Sequence, residues 1–197
     1  MKDRIAGAEI EPMVDPRLLQ DVLGEALATG GEFAEVFVED RRSTSALLDD
    51  GRIEEMASGR DRGAGIRVVV GETTGFAHTA DLSPASLRAA SAAASAAARG
   101  GGGEVREVAL GRPSGPPSAV VEVFPSDVAK DRKVALLAEA DEAARARDGA
   151  ITQVTARYAD SQRRIQIANS DGLLTGDRQV RTLFSVSCVA SGDSGLQ

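Results

Sequence analysis

Two Asp-Gly dipeptides, Asp50-Gly51 and Asp171-Gly172, each lie between stretches in which apolar and polar residues alternate. Asp-Gly is among the strongest short signals for a β-hairpin, because both loop residues of a type I′ turn need positive φ angles. Ahead of the first dipeptide, Ala34, Val36 and Val38 recur with a period of two, as on one face of a strand. The sequence therefore predicts an antiparallel hairpin at each dipeptide.

Helices are predicted around these strands. Asp15-Pro16 supplies an N-cap and a first-turn proline, and apolar residues then recur at helical spacing until Gly30. Ser83-Pro84 begins a second, alanine-rich helix. A long third helix is expected after Ser126, with Gly149 just past its end. Its predicted inward face consists of Val134, Leu137, Ala138 and Ala144.

A further hairpin is predicted at Gly71-Glu72, because a leading glycine suits a type II′ turn. This turn would place Val69 opposite Thr74 and Arg67 opposite Phe76. The remaining alternation predicts about five strands after the first helix and three or four strands after the third.

The predicted order of elements, a helix followed by strands around an Asp-Gly turn, occurs twice. The fold class is therefore α+β, with antiparallel strands, helices on one face, and two similar helix-plus-meander halves joined by a Gly/Pro-rich linker. The halves span residues 15–99 and 126–197, the linker spans residues 100–125, and residues 1–14 are interpreted as a flexible segment. We expect the second half to be truncated, because the turn signal at residues 192–195 has no returning strand.

Charge and composition disfavour several classes of partner. A formal net charge of −7 repels the phosphate backbone, so nucleic acid is not expected as a partner. No apolar run approaches the roughly 20 residues that cross a bilayer, and residues 1–15 lack the pattern of a signal peptide. The single cysteine, Cys188, cannot form an internal disulfide, which favours a cytoplasmic location.

His78 and Cys188 are the only histidine and the only cysteine in the chain. We place His78 across from Gly65 near a strand end without a charge partner, which favours a partly exposed strand histidine over a general base. Cys188 shares a strand face with Phe184 and Val186, which favours a packed small hydrophobe over a nucleophile. A Cys188 and His78 dyad stays open. Zinc needs three or four convergent ligands, so we expect this chain to bind none.

Three other motifs have plain structural interpretations. The carboxylate pairs Asp49-Asp50 and Glu54-Glu55 are adjacent on strands and point to opposite faces, so acid/base dyads are disfavoured. Gly63-Ala64-Gly65 resembles a phosphate loop, but it enters a predicted strand instead of opening a helix. We therefore predict no catalytic, cofactor-binding or metal-binding residue in this chain.

A glycine-rich stretch carries a resemblance to a known family. Residues 59–77, with glycines at positions 59, 63, 65, 71 and 75, resemble the signature of the TldD/PmbA family of metallopeptidases, also described as modulators of DNA gyrase. Residues 33–53 are similar to the opening strands of the family, and residues 153–189 to its later strands. The resemblance covers most of the chain from about Asp15, and it is greater to the TldD branch than to the PmbA branch.

The resemblance implies a two-domain subunit in which an amino-terminal α+β domain supports a carboxy-terminal, β-rich domain that bears the metal. There, zinc would be held by an HExxxH helix motif and a later cysteine, and the motif glutamate would act on the metal-bound water. This chain departs from that pattern, because His78 is followed by Thr79-Ala80-Asp81-Leu82 and no second histidine exists. The metal-bearing domain is thus expected to be absent, and no ligand role is transferred to Cys188.

The resemblance therefore identifies the chain as the amino-terminal scaffold of a TldD-like metallopeptidase subunit. The complete protein would hydrolyse peptide bonds in unfolded peptides with zinc, as a heterodimer with a paralogous, metal-free subunit, whereas this fragment alone would be inactive. Two alternatives stay open. The chain could be a non-catalytic module that binds extended peptides by strand addition, or the metal-free partner subunit of a peptidase heterodimer.

Overall fold

The computed structural model describes residues 11–98, 107–111, 121–192 and 195–196. Most of the predicted flexible segment, residues 1–10, lies outside the described residues, and so does most of the predicted linker, residues 100–106 and 112–120. Residues 11–14 are described and are anchored. The side-chain Oε1 of Gln166 accepts hydrogen bonds from the backbone N–H groups of Met13 and Val14, both at 2.9 Å.

The described residues form three α-helices and one antiparallel sheet, which confirms the α+β class. The helices are α1 (Pro16–Leu27), α2 (Pro84–Ala97) and α3 (Lys130–Arg147). The strands are β1 (Phe33–Asp49), β2 (Arg52–Val70), β3 (Thr73–Thr79), β4 (Ile151–Asn169), β5 (Leu174–Gly192) and β6 (Gly195–Leu196). Their order is β3-β2-β1-β4-β5, and the two residues of β6 pair with the end of β5. None of the described helices has the length and apolarity that crossing a membrane requires.

The first two predicted hairpins are confirmed. Asp50 and Gly51 have φ angles of 48° and 78°, as a type I′ turn requires. Gly71 has a φ of 54°, and β2 and β3 pair with the predicted partners Val69 with Thr74 and Arg67 with Phe76.

The turn at Asp171-Gly172 has a different geometry, although it does join β4 to β5. Only Gly172 has a positive φ, at 91°. The loop is closed by Asn169, whose backbone N–H donates to the carbonyl oxygen of Leu173 at 3.1 Å. Its side-chain Oδ1 also accepts a hydrogen bond from the backbone N–H of Asp171 at 3.1 Å. An asparagine side chain therefore organises this turn.

The number of strands after α1 differs from the prediction. About five strands were expected after α1, but three are present, because β1 and β2 continue as single strands of 17 and 19 residues. The third helix does follow Ser126, as expected, and it ends just before Gly149. Residues Pro125–Asp127 form a 3₁₀ turn, and α3 begins at Lys130 without a side-chain cap.

The chain forms two compact units. Among the described residues, unit 1 comprises 11–40, 61–98, 107–111 and 163–178, and unit 2 comprises 41–60, 121–162, 179–192 and 195–196. Helices α1 and α2 belong to unit 1, and α3 belongs to unit 2. Each of the four long strands supplies residues to both units, so both halves of the sequence contribute to each unit.

Unit 1 has an apolar core. Helices α1 and α2 pack on the face of β1 that carries Ala34, Val36 and Val38, all fully buried as the alternation predicts. The buried hydroxyls of α2 bond to α1: Ser91 Oγ donates to the carbonyl oxygen of Val22 at 3.0 Å, and Ser95 Oγ donates to that of Ala26 at 2.7 Å. The two helices are thus joined by hydrogen bonds as well as by apolar contact.

Unit 2 has a smaller apolar core. Leu137 of α3 is its centre and packs with Ala46, Leu48, Ala156 and Tyr158. The predicted inward face of α3 is correct at Leu137, which is buried, and at Ala138, which is half-buried and packs against this core. Val134 and Ala144 are half-buried and are not members of the cluster. The remaining buried residues of the helix are charged, namely Lys133 and Asp141.

Candidate functional site

His78 and Cys188, the two candidate residues of the sequence, are both exposed. His78 pairs with Gly65 across β2 and β3 as predicted, and its ring stacks on that of Phe76 at a centroid distance of 6.3 Å. The expectation that Cys188 packs as a small hydrophobe is wrong, because Phe184 and Val186 on the same strand face are themselves 44% and 41% exposed.

These two residues belong to different units, His78 to unit 1 and Cys188 to unit 2. Over the described ranges, no group of three or more His, Cys, Asp or Glu side chains is placed to hold a metal ion. Neither candidate residue is therefore part of a recognisable ligand set within those ranges.

The buried charge of unit 2 is concentrated between α3 and β4. Lys133 Nζ donates a 2.6 Å hydrogen bond to Asp160 Oδ2, with the two side chains only 4% and 5% exposed. The same ammonium group lies 5.5 Å from the centroid of the Tyr158 ring. Burial and a hydrogen bond to Asp160 raise the pKa of Tyr158 to about 12, because both disfavour the phenolate. Lys133, Tyr158 and Asp160 thus form one buried polar cluster.

The Asp50-Gly51 end of unit 2 carries two carboxylates, of half-buried Asp49 and exposed Asp50, and each one has hydrogen-bond partners. Thr155 and Gln153 donate hydrogen bonds to Asp49, and these bonds hold the pKa of its carboxyl below its usual value. Asp50 accepts from Arg145 Nη2 at 2.5 Å, and this bond contributes most to the raised pKa of the Arg145 guanidinium. The two adjacent acids have separate partners, so they do not form an acid/base dyad.

Unit 2 also contains an open depression of about 930 Å³ that is lined by four strands. Its lining residues are Arg41, Ser43, Thr44, Ser45, Ala57, Ser58, Gly59, Ala159, Asp160, Ser161, Val180, Arg181, Thr182 and Leu183. Most of these side chains are small, and several carry hydroxyl groups. A Cβ at Gly59 would lie 3.6 Å from Ser43 Oγ, so β1 and β2 approach each other closely at this point without a large side chain between them. The depression offers hydrogen bonds and positive charge, but no nucleophile paired with a base.

The buried cluster and the depression were not predicted from the sequence. Lys133 and Asp160 are 27 positions apart, and a lysine one turn before Leu137 resembles any solvent-facing charge. A signal for the depression does exist in the sequence. Small residues occupy alternate positions of both central strands, at Ser43 and Ser45 on β1 and at Ala159 and Ser161 on β4.

The glycine-rich stretch at residues 59–77 contributes packing instead of chemistry. A Cβ at Gly75 would overlap the backbone of α2, and a Cβ at Gly63 would lie 2.6 Å from the carbonyl oxygen of Thr79. A Cβ at Gly65 would crowd the Phe76 ring at 3.0 Å. These glycines let strand, helix and aromatic ring approach each other closely.

Two family models match the chain in succession. The model of the PmbA/TldA metallopeptidase domain 1 matches residues 34–98, and that of the central domain matches residues 124–197. Together they account for most of the chain.

Curated relatives from two organisms are similar to most of the chain. It is 29% identical over 157 residues to a metalloprotease TldD homolog from Haemophilus influenzae, an alignment that covers 79% of this chain and 33% of the relative. It is 32% identical over 167 residues to a metalloprotease from Methanothermobacter thermautotrophicus, covering 84% of this chain and 36% of the relative. The chain therefore spans about a third of the length of these relatives.

Solved structures share the fold. TldE from Thermococcus kodakarensis superposes with a TM-score of 0.72 at 16% identity, covering 91% of this chain and 40% of that one. A proposed modulator of DNA gyrase from Bacteroides thetaiotaomicron superposes with a TM-score of 0.70 at 18% identity, covering 90% of this chain and 41% of that one.

Proposed function

The chain belongs to the TldD/PmbA family of metallopeptidases, and we propose that it is the amino-terminal scaffold of a TldD-like subunit. In this proposal the complete protein hydrolyses peptide bonds in unfolded peptides. The observation that carries the proposal is the succession of two family domains, domain 1 and the central domain, along one chain. The relatives named as metalloproteases are more than twice as long as this chain, which leaves room for a further domain that performs the chemistry.

The structure of the family signature supports a scaffolding role. Gly63, Gly65 and Gly75 are required for close packing between β2, β3 and α2, and none of them faces a cluster of reactive side chains. The core of unit 1 is apolar apart from two serine hydroxyls and the side-chain amide of Gln166, all of which bond to backbone groups. Such a body can hold a second domain or a partner in position without itself contacting a reacting bond.

A zinc ion is proposed for the complete protein and not for this chain. Catalytic zinc is held by three protein ligands with an open fourth position, and it lowers the pKa of bound water. The described residues do not fit such a site, because His78 and Cys188 are exposed members of different units and no third ligand accompanies either one. No hydrolytic step is therefore derived through residues of this chain.

Partners and location follow from the same proposal. One solved neighbour is named TldE, which favours a paired arrangement of paralogous subunits, a metal-bearing one and a metal-free one. We propose that the complete protein works in such a heterodimer on peptide substrates in the cytoplasm. The net charge of −7 fits a partner other than nucleic acid.

Expression of this chain beside its complete reading frame tests the proposal. Each protein is purified with and without the paralogous subunit, and zinc content and cleavage of fluorescently labelled, unfolded casein are measured. The complete heterodimer should cleave casein and hold about one zinc per TldD-like chain, whereas this chain should do neither. A complete protein in which the motif glutamate is replaced by glutamine is the matched control, because it should keep zinc and lose cleavage.

The same experiment separates the alternatives. Casein cleavage by this chain alone would overturn the scaffold proposal. A complete frame that lacks a metal motif, but whose product activates a metal-bearing paralogue, would favour the metal-free partner subunit. Peptide binding without cleavage by any combination would favour the non-catalytic module.

A further inference from the structure

The depression of unit 2 lies on a sheet face that no described helix covers. Along β1, alternation directs Ser43 and Ser45 away from the face that carries Ala46 and Leu48. Along β4, Ala159 and Ser161 likewise point away from the face on which Tyr158 packs with Leu137. Helix α3 packs on the face that carries Ala46, Leu48 and Tyr158. The small side chains of the depression therefore lie on the opposite face of the sheet.

The charge of this face is positive. Arg41 and Arg181 lie in the lining, and none of the ion pairs formed among the described residues includes either of them. Asp160 is the only acid among the lining residues that the structure describes, and Lys133 already neutralises it. Two guanidinium groups therefore belong to the lining of a concave surface whose one described acid is already paired. This is unusual in a chain whose net charge is −7.

The dimensions of the depression limit its occupant. Four neighbouring strands spaced about 4.8 Å apart span roughly 14 Å, and an extended chain advances about 3.4 Å per residue. About four residues of an extended peptide would therefore cross the four strands. The volume of about 930 Å³ lies within the range of small-ligand sites in proteins. Exposed Leu183 beside Arg181 adds apolar contact at one side.

We propose that this depression binds an extended acidic peptide segment of about four residues. Its carboxylates pair with Arg41 and Arg181, its backbone bonds to the serine and threonine hydroxyls, and an apolar side chain packs on Leu183. Guanidinium groups suit carboxylates because they present paired N–H donors. The proposal goes beyond the peptidase function and does not rest on it, because binding requires only that unit 2 is folded.

Fluorescence anisotropy with the whole chain tests this inference. The probe is a labelled hexapeptide of alternating glutamate and leucine, and the comparison peptides carry glutamine or lysine in place of glutamate. The glutamate peptide should bind at least about tenfold more tightly than either comparison peptide, since charge-assisted hydrogen bonds are the stronger ones. Arg181→Gln and Arg41→Gln should each weaken binding about tenfold. Ser43→Tyr, which fills the depression, should weaken binding without removing a charge.

Arg52→Gln is the matched control, because Arg52 is an exposed arginine of unit 2 outside the depression. It should leave affinity unchanged at physiological salt. Equal losses in the Arg52 and Arg181 variants would overturn the site, and so would equal affinity for the glutamate and glutamine peptides. Acetate and inorganic phosphate at millimolar concentration serve as free anions. If either one matches the peptide in affinity, the depression binds a simple anion and the peptide proposal is wrong.

Discussion

Unit 1 and unit 2 fix their helices by different interactions. In unit 1, α1 and α2 rest on aliphatic side chains, and the polar atoms at their contact are serine hydroxyls bonded to backbone carbonyls. In unit 2, the buried residues of α3 are Lys133, Leu137 and Asp141, which follow each other at intervals of about one helical turn. Two of these three residues are charged. Unit 1 therefore depends on shape, whereas unit 2 depends on the pairing of charges.

The difference affects how each unit responds to substitution. A buried ion pair contributes little net stability relative to well-packed apolar residues, because both charges lose their hydration. Removing one partner is much more costly, since it leaves the other charge buried and unpaired. An apolar core instead loses stability gradually as volume is removed or added. The two units should thus be most sensitive to different kinds of change.

The largest expected effect is that of Lys133→Met in unit 2. Asp160 would stay buried without its cation, so we expect a loss of about 3–5 kcal/mol in the free energy of unfolding, measured by urea denaturation. Exposed Lys130→Met is the matched control and should change stability by less than about 0.5 kcal/mol. The double variant Lys133→Met with Asp160→Leu should recover most of the loss. Equal effects of the Lys133 and Lys130 changes would show that α3 does not depend on charge pairing.

Gly75→Ala tests the dependence of unit 1 on shape. The added methyl group would overlap the carbonyl oxygen of Ala94 and the backbone nitrogen of Ala98, so α2 would have to move away from β3. We expect a loss of about 3 kcal/mol, at the upper end of overpacking effects. Gly149→Ala adds the same methyl group with no atom within 4 Å, and it should be nearly neutral. A tolerated Gly75→Ala would mean that α2 packs more loosely than the structure shows.

The same contrast explains how much the sequence could predict. In unit 1, burial of Ala34, Val36 and Val38 follows from local alternation, and the β2 to β3 register follows from the turn at Gly71-Glu72. In both cases the residues that determine the structure are neighbours in sequence. The Lys133 to Asp160 pair is different. Its two residues become partners only when α3 packs on β4, so no local pattern distinguishes them from solvent-facing charges.

Strand length was also not predictable from local pattern. The polar run from Asp40 to Ser45 resembles a break between two strands, yet β1 continues through it. A strand does not need apolar residues where its face is open, and the open face at Ser43 and Ser45 belongs to the depression. The positions at which alternation failed as a guide are therefore the same positions at which a candidate binding site lies.

Tyr158 gives the charged cluster of unit 2 a pH dependence of intermediate size. The folded state holds the phenol proton up to a pKa of about 12, whereas the unfolded state releases it near 10. Between these values the folded state binds more protons, so the contribution of Tyr158 to stability falls as pH rises, and it is constant below pH 10. We expect a loss of up to about 2 kcal/mol over this window. Tyr158→Phe should remove this decrease in the free energy of unfolding between about pH 10 and pH 12, because Lys133 and Asp160 remain but the phenol is gone.

A direct titration can check the tyrosine itself. Tyr158 is the only tyrosine and the chain has no tryptophan, so near-ultraviolet absorbance of tyrosinate reports this residue alone. The folded chain should titrate well above the urea-unfolded chain. Equal midpoints in the two states would show that the cluster does not enclose the phenol.

The smallest effect on stability is expected on β5 of unit 2, where apolar side chains are already in solvent. Leu183 is 62% exposed and Phe184 is 44% exposed, so Phe184→Thr with Val186→Thr should change the free energy of unfolding by less than about 0.5 kcal/mol. Threonine also keeps a high strand propensity.

Self-association should change instead, because exposed apolar strands recruit other chains. We expect the unaltered chain to associate through Leu183–Val189 in sedimentation velocity, and the double variant to sediment as a monomer at the same concentrations. Ile53→Thr with Met56→Thr, at exposed apolar positions of β2, should not reduce association to the same degree. If it does, or if the unaltered chain is a monomer at every concentration, the exposed face of β5 is not an association surface.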